Sequence, residues 1–375
     1  MHKSLYNMRI TIKIGSNVLT RKDGSLDVTR MSSLVDQVSD LRSLGIEVLL
    51  VSSGAVASGR SELKGMILNK MDSVEERQLY SAVGQAKLIN RYYELFRDHG
   101  IRVGQVLTMK ENFSTRQLYL NQRGCIDVML SNGVVPIINE NDTVSVTELM
   151  FTDNDELSGL IATMMCSDAL VILSNIDGLF TSVPGTAGAE LIRRVEAGRD
   201  ISSYISTVKS GFGRGGMQTK GRIAGKVAQE GIPVIIANGK RDDILVGLVP
   251  LIESLAAGNF DVESDVPCTL FMPSESDVSS VKKWIAHSDG FTKGAIHLNG
   301  GATEKVCGSD AASILPVGVT AVDGDFDRHD IIGIYDVGGN QIGVGRSEYD
   351  STDARNAIGR HGMRPIVHYD FLYLV

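Results

Sequence analysis

The chain has 375 residues, 43% hydrophobic and 22% charged, a mix that excludes disorder as the main state and supplies core material for two or three domains at ~100–200 residues each. Lys and Arg number 37 against 45 Asp and Glu, a net charge of −8, the wrong sign for indiscriminate binding to nucleic acid or a membrane surface. No apolar run reaches the ~18 residues that cross a bilayer, the opening MHKSLYNMRITIKIG lacks a signal-peptide core, and four scattered cysteines make no CxxC pair; a reduced cytoplasmic setting is expected, with the cysteines as small buried hydrophobes.

Strand-like and helix-like segments alternate up to about residue 272. Residues 8–14 (MRITIKI) switch between apolar and polar with the period of a strand. Residues 29–44 set Leu34, Val38, Leu41 and Leu44 on one helical face, and IEVLLV (46–51) has the continuous apolar character of a strand covered on both sides. VSSGAVASGR (51–60) leaves that strand through a Ser-Gly turn and opens a helix. A long helix is expected over 73–98, started by Asp72 with Glu75 and Glu76 in its first turn. Next come a strand at 101–109, a helix at 115–131 and a strand at 133–139. Helices at 154–166 and 217–230 are followed by strands at 169–174 and 232–237. This βαβα order predicts a three-layer α/β/α sandwich around a mostly parallel sheet in residues 1–272.

The pattern changes after Phe271. Residues 273–290 are polar and read as a linker. From 291 to 375 short strands are separated by glycine, with no long helical period before 352–360, which predicts a small β-rich domain. That tail carries 7 Lys and Arg against 11 Asp and Glu, so phosphate contact with RNA is disfavoured.

Four segments have the residue types of a phosphate-handling site. Lys13 lies where the first strand runs into Gly15, and open parallel sheets bind ligands beyond the carboxyl ends of their strands. Ser52, Ser53 and Gly54 form a strand-to-helix turn whose free N–H groups suit an anion. INENDTVS (138–145) brings Asn139, Glu140, Asn141 and Asp142 to a strand end, and Asp153, Asn154 and Asp155 follow at a helix start. GFGRGGMQTK (211–220) is a glycine loop running into a helix with Lys220 in its first turn. It formally matches GxGxxG but sits mid-chain without the acidic partner of a dinucleotide site, and no Walker A sequence is present. No histidine pair has metal-ligand spacing, and no histidine lies near the other loops to complete a Ser-His-Asp site.

IKIGSNVLT, VSSGAVASGR, AVGQAKL, VVPIINENDTV, DNDELS and GRGGMQTK, in that order, resemble the amino acid kinase family, and the glycine-rich tail resembles a PUA domain. The resemblance implies transfer of the ATP γ-phosphoryl group to the side-chain carboxylate of L-glutamate, the first step of proline biosynthesis. Kinases of other acidic amino acids share most of these segments, and an RNA-binding regulator acting through the tail is the alternative of a different class. It also implies that Lys13 and Lys220 contact the transferred group and that Asp155 orients both. Ser53, Gly54, Asp142 and Asn154 would meet the substrate. Lys13, Gly15, Ser174, Asn175, Arg214, Gly215, Gly216, Met217, Gln218, Thr219 and Lys220 would meet ATP. Ser174-Asn175 stands where the family commonly has Thr-Asp. Mg²⁺ would be held by nucleotide phosphates, with no dedicated protein metal ligands. A homo-oligomer, dimer or tetramer, and contact with the next enzyme of proline synthesis are further implications.

Overall fold

The computed structural model describes residues 8–67, 69–144, 151, 153–199, 216–274, 285, 292–308 and 312–374. Two compact units are present, Met1–Lys110 with Arg123–Asp277, and Glu111–Gln122 with Val278–Val375.

In chain order the elements of the first part are β1 (Arg9–Ile14), α1 (Ser16–Leu19), α2 (Val28–Ser43), β2 (Glu47–Ser52), α3 (Ala55–Glu62), α4 (Ser73–Asp98), β3 (Arg102–Thr108), α5 (Arg116–Ser131), β4 (Val134–Glu140), α6 (Asn154–Met164), β5 (Ala169–Ser174), β6 (Arg194–Val195), α7 (Met217–Gln229), β7 (Val234–Asn238), α8 (Ile244–Ala256) and β8 (Cys268–Phe271). The eight strands form one sheet in the order β3-β4-β2-β1-β5-β7-β8-β6. All pairings are parallel except β7 with β8.

Both sheet faces are covered, and β5 makes this plain. Ala169, Val171 and Leu173 pack in the core shared with α2, α4 and α8, whereas Leu170 and Ile172 pack with Ala162 of α6 and Ile223 and Val227 of α7. A strand buried on both sides needs apolar residues at every position, which is why ALVILS shows no alternation. The first strand differs. Ile10, Ile12 and Ile14 belong to the α2/α4/α8 core, so the period of two sends Thr11 and Lys13 to the opposite face. Thr11 meets Ser167, just past α6, at 2.8 Å.

Helix α4 starts and ends where the sequence places it. Asp72 accepts from the Val74 and Glu75 N–H groups, and the Glu75 side chain accepts from the Asp72 N–H, a complete capping box. Helix α8 was not among the expected elements. Its sequence, ILVGLVPLIESLA, is apolar nearly all round and contains Pro250, so no helical period stands out.

The C-terminal unit holds β9 (Gly294–Leu298), β10 (Val319–Gly324), β11 (Ile331–Tyr335), β12 (Gln341–Ser347) and β13 (Val367–Leu374), in the order β10-β9-β11-β12-β13. It has its own core, including Ile296, Ile332, Ile334, Ile366 and Val367. The expected helix near 352–360 is Ser351–Ala357, and a second, Gly300–Val306, lies where short strands separated by glycine were expected. The Asn299 side chain accepts from the Ala302 N–H and so starts that helix despite its two leading glycines. Of the expected linker, residues 275–284 and 286–290 lie outside the described residues.

The cysteine expectation is corrected. Cys268 alone is buried, while Cys125, Cys166 and Cys307 are exposed and all four are unpaired thiols. Cys166 has φ +51° just after α6, and Cys307 caps the short helix Gly300–Val306; both positions are set by a helix end rather than by core packing.

Helices α3 and α4 cross in contact at two glycines. A Cβ on Gly84 would lie 1.8 Å from the Ala55 carbonyl oxygen, and one on Gly59 would lie 1.8 Å from that of Tyr80. Neither backbone group can yield locally, so Gly84→Ala must push the helices apart. It should cost about 1–3 kcal/mol and lower the Tm of the purified protein by several degrees in a thermal melt followed by circular dichroism. An unchanged Tm would show that this helix crossing is not close-packed.

Candidate active site

The polar phase of β1 delivers Lys13 to the face covered by α6 and α7. Asp155 is in the first turn of α6 and Lys220 in the first turn of α7. These three side chains meet. Lys13 Nζ lies 2.5 Å from Asp155 Oδ1, and Lys220 Nζ lies 2.7 Å from Asp155 Oδ2. All three are buried, Asp155 at 0% exposure. Burial alone would raise the Asp155 carboxyl, but the two ammonium groups outweigh it and hold it at about 2. Burial is also the main reason Lys13 is lowered, opposed by Asp155 and reinforced by Lys220. Asp153 caps α6, its Oδ1 accepting from the Asp155 and Glu156 N–H groups at 2.9 and 3.1 Å. Burial first, and then the charge of Asp155, push Asp153 up to about 6.

The remaining residues flank this triad. On the β2/β4 side, Asn154 Nδ2 donates to Ser53 Oγ at 2.9 Å and to Asn139 Oδ1 at 3.1 Å. The Glu140 N–H donates to the same Asn139 oxygen at 2.9 Å. Asn139 must therefore turn its Nδ2 to Gln85 Oε1, at 2.7 Å. This fixes both outer amides. Asn154 Oδ1 and Gln85 Nε2 are buried and have no partner among the described residues. Gly54, at φ +107°, caps α3 in a conformation that side chains resist. Arg77 of α4 pairs with Glu140 Oε2 at 2.9 Å and with Asp142 Oδ1, and Ser81 Oγ lies 3.5 Å from Asp142 Oδ2.

On the β5/β7 side, the Gly15 N–H donates to the Leu173 carbonyl at 3.1 Å, which sets that turn beside the end of β5. Ser174 is buried there and Asn175 exposed. Asp177 accepts from Arg241 Nε and Nη2 at 2.6 and 2.8 Å and from Asn238 Nδ2 at 3.1 Å. The hydrogen bonds from Arg241 hold its carboxyl below the usual range. Gly216 is the N-cap of α7, and Met217, Gln218 and Thr219 make its first turn. Arg214 and Gly215 lie outside the described residues.

Sequence reading found Lys13, Asp155 and Lys220 but not Arg77, Gln85, Asp177 or Arg241. Arg77, Ser81 and Gln85 are spaced four apart, and Leu88, Tyr92 and Phe96 continue the same buried stripe of α4. A polar start to a buried helical face was the available signal. Asp177 and Arg241 are 64 residues apart and gave none. Among the described residues no group of three or more His, Cys, Asp or Glu is placed to hold a metal ion, and no helix is long and apolar enough to cross a membrane.

Two lysines converging on one buried carboxylate at the carboxyl edge of a parallel sheet are matched by a family assignment over the same residues: the amino acid kinase family spans residues 8–238. The chain belongs to the amino acid kinase family. A PUA domain matches residues 294–369. This amino acid kinase is 62% identical over 366 residues to the glutamate 5-kinase of Bacteroides thetaiotaomicron, with 98% of each chain covered. It is 44% identical over 376 residues to that of Chlorobaculum tepidum, covering 100% of this chain and 99% of the relative. With that of Pelobacter propionicus the identity is 37% over 358 residues, 95% of this chain and 91% of the relative. Solved structures of an isopentenyl phosphate kinase and of UMP kinase from Ureaplasma parvum are similar at 16% and 15% identity, with TM-scores of 0.46 and 0.47. They cover 70% and 71% of this chain and 100% and 98% of their own.

The opposite shifts of the two aspartates give opposite pH dependences. Asp155, lowered to about 2, contributes stability that is present above pH ~4 and is lost as pH falls through 2. Asp153, raised to about 6, contributes stability that is complete below pH ~4 and is lost as pH rises through 6. Asp153→Asn keeps an oxygen for the cap and removes the second effect. Urea midpoints of the parent should fall between about pH 4 and 6 relative to this variant; parallel midpoints would rule out the raised carboxyl.

Proposed function

We propose that this protein catalyses ATP-dependent phosphorylation of the side-chain carboxylate of L-glutamate, giving L-glutamyl 5-phosphate and ADP, the first step of proline biosynthesis. The observation that carries the reading is the Lys13–Asp155–Lys220 cluster; the names of the relatives supply the acceptor. Residues 1–272 would form the kinase domain, 273–290 a linker and 291–375 the PUA-like domain.

The chemistry asks for little beyond charge and position. A carboxylate acceptor with an ordinary pKa of ~4.3 is ionised at neutral pH, so no general base is needed. The obstacle is repulsion between that anion and a polyphosphate, and the charge spread over the moving phosphoryl group. The two ammonium groups stand in a dry site, where their charge acts strongly. Asp155 would hold both amines before substrate arrives, so that no reorganisation is required at the moment of transfer. The donors here are ammonium groups rather than a carboxylate cage, which fits Mg²⁺ held by phosphate oxygens and water. Bound there, it would neutralise nucleotide charge.

Sheet order arranges the two reactants. Lys13 is on β1 in the middle. The β2 and β4 ends on one side carry Ser53, Gly54, Asn154's partners and Asp142, suited to an amino acid: the Asp142 carboxylate and Asn154 Oδ1 for its ammonium, the α3 turn for its carboxylate. The β5 and β7 ends on the other side, with the start of α7, would take the nucleotide. Assembly into a homo-oligomer and hand-over of the labile acyl phosphate to the next enzyme of the pathway belong to the same proposal.

ADP formation from Mg·ATP should depend on L-glutamate, and hydroxylamine should trap the acyl phosphate as a hydroxamate. Aspartate and N-acetylglutamate should support neither. ADP release indifferent to glutamate would overturn the assignment. Lys220→Met should lower kcat by about 10²–10³ with a small change in the KM for glutamate; retained turnover would remove Lys220 from the transfer step.

A further inference from the structure

We infer that Arg77 is the positioning residue of the acceptor pocket, holding Asp142 ionised and oriented for the substrate's α-ammonium group and so making the pocket selective for a free amine. The inference rests on the placement of glutamate against Asp142 proposed above. Glu140 and Asp142 are 3% and 6% exposed. Two carboxylates so buried and so close cannot both stay charged unless a cation lies between them; otherwise one takes up a proton. Among the described residues the Arg77 guanidinium is a cation so placed, 2.9 Å from Glu140 Oε2 and in contact with Asp142 Oδ1.

The surroundings fix the arrangement. Glu140 is anchored by the Phe151 N–H, which donates to its Oε1 at 3.0 Å. Ser81 approaches the second oxygen of Asp142. Gln85, two turns beyond Arg77 on the same face of α4, holds Asn139 and through it the orientation of Asn154. One face of one helix thus governs both groups that would receive the ammonium. A free α-ammonium can pair with the Asp142 carboxylate that Arg77 holds, whereas an N-acylated amino acid brings no cation to it.

Steady-state kinetics of Arg77→Met, Arg77→Lys, Asp142→Ala and the double variant Arg77→Met/Glu140→Gln test this. Arg77→Met should raise the KM for L-glutamate about tenfold or more, with kcat within about threefold and the KM for ATP unmoved. Arg77→Lys should recover part of the loss. Removing the second carboxylate in the double variant should bring the KM back to within about threefold of the parent. A KM for Arg77→Met within about twofold of the parent, or a double variant no better than the single, overturns the inference. Should Arg77→Met fail to fold, the double variant carries the test: a KM near the parent supports the inference, and a tenfold rise overturns it. An unchanged KM in Asp142→Ala would overturn the pocket assignment itself and this inference with it. A raised KM there, beside an unaffected Arg77→Met, overturns the inference alone.

Discussion

A carboxylate shared by two buried ammonium groups is the constraint on which the rest of this structure turns. Any of the three charges left alone at this depth would cost several kcal/mol. Together they are tolerable, but only if β1, α6 and α7 each stop at the right height. The sheet register, the cap on α6 and the approach of α7 are therefore fixed by the same contact that prepares the site. The two amines are what a polyphosphate would answer.

The strand order does further work. Because β1 lies between β2 and β5, the lysine it carries stands between two banks of loops. One bank is rich in acidic and amide groups, the other in glycine turns and an Arg–Asp clasp. In the proposed reaction these banks separate two anions that would otherwise repel, and the central ammonium is shared by both. A single sheet edge thus supplies distance, order and charge without a catalytic base.

Much of the fold was legible because its signals are local. TIKI alternates, so both the strand and the sidedness of Lys13 follow. Asp72 and Glu75 announce α4 to the residue, and ALVILS can only be a strand covered twice. Where the signal is diluted, sequence reading fails: α8 has no polar face, and Gly300–Val306 begins with the two residues least inclined to start a helix. For the site, Lys13, Asp155 and Lys220 were visible as charges at element ends. Their convergence was an inference from resemblance, since nothing in a linear string says that α7 docks against α6. Arg77 and Gln85 were missed because their partners are tens of residues away, and a polar residue on an amphipathic helix is ordinarily solvated.

The central position of β1 has a consequence for how the protein is made. The ribosome delivers this strand before the other strands of its sheet, yet the groups that let its lysine be buried come from α6 and α7, far later in synthesis. Until both emerge, closing the sheet over that amine would strand a lone cation in apolar surroundings. The unit is thus bound to complete its core late, through contacts of long sequence separation that form slowly, and a truncated translation product ending before α7 holds neither the finished fold nor a usable site.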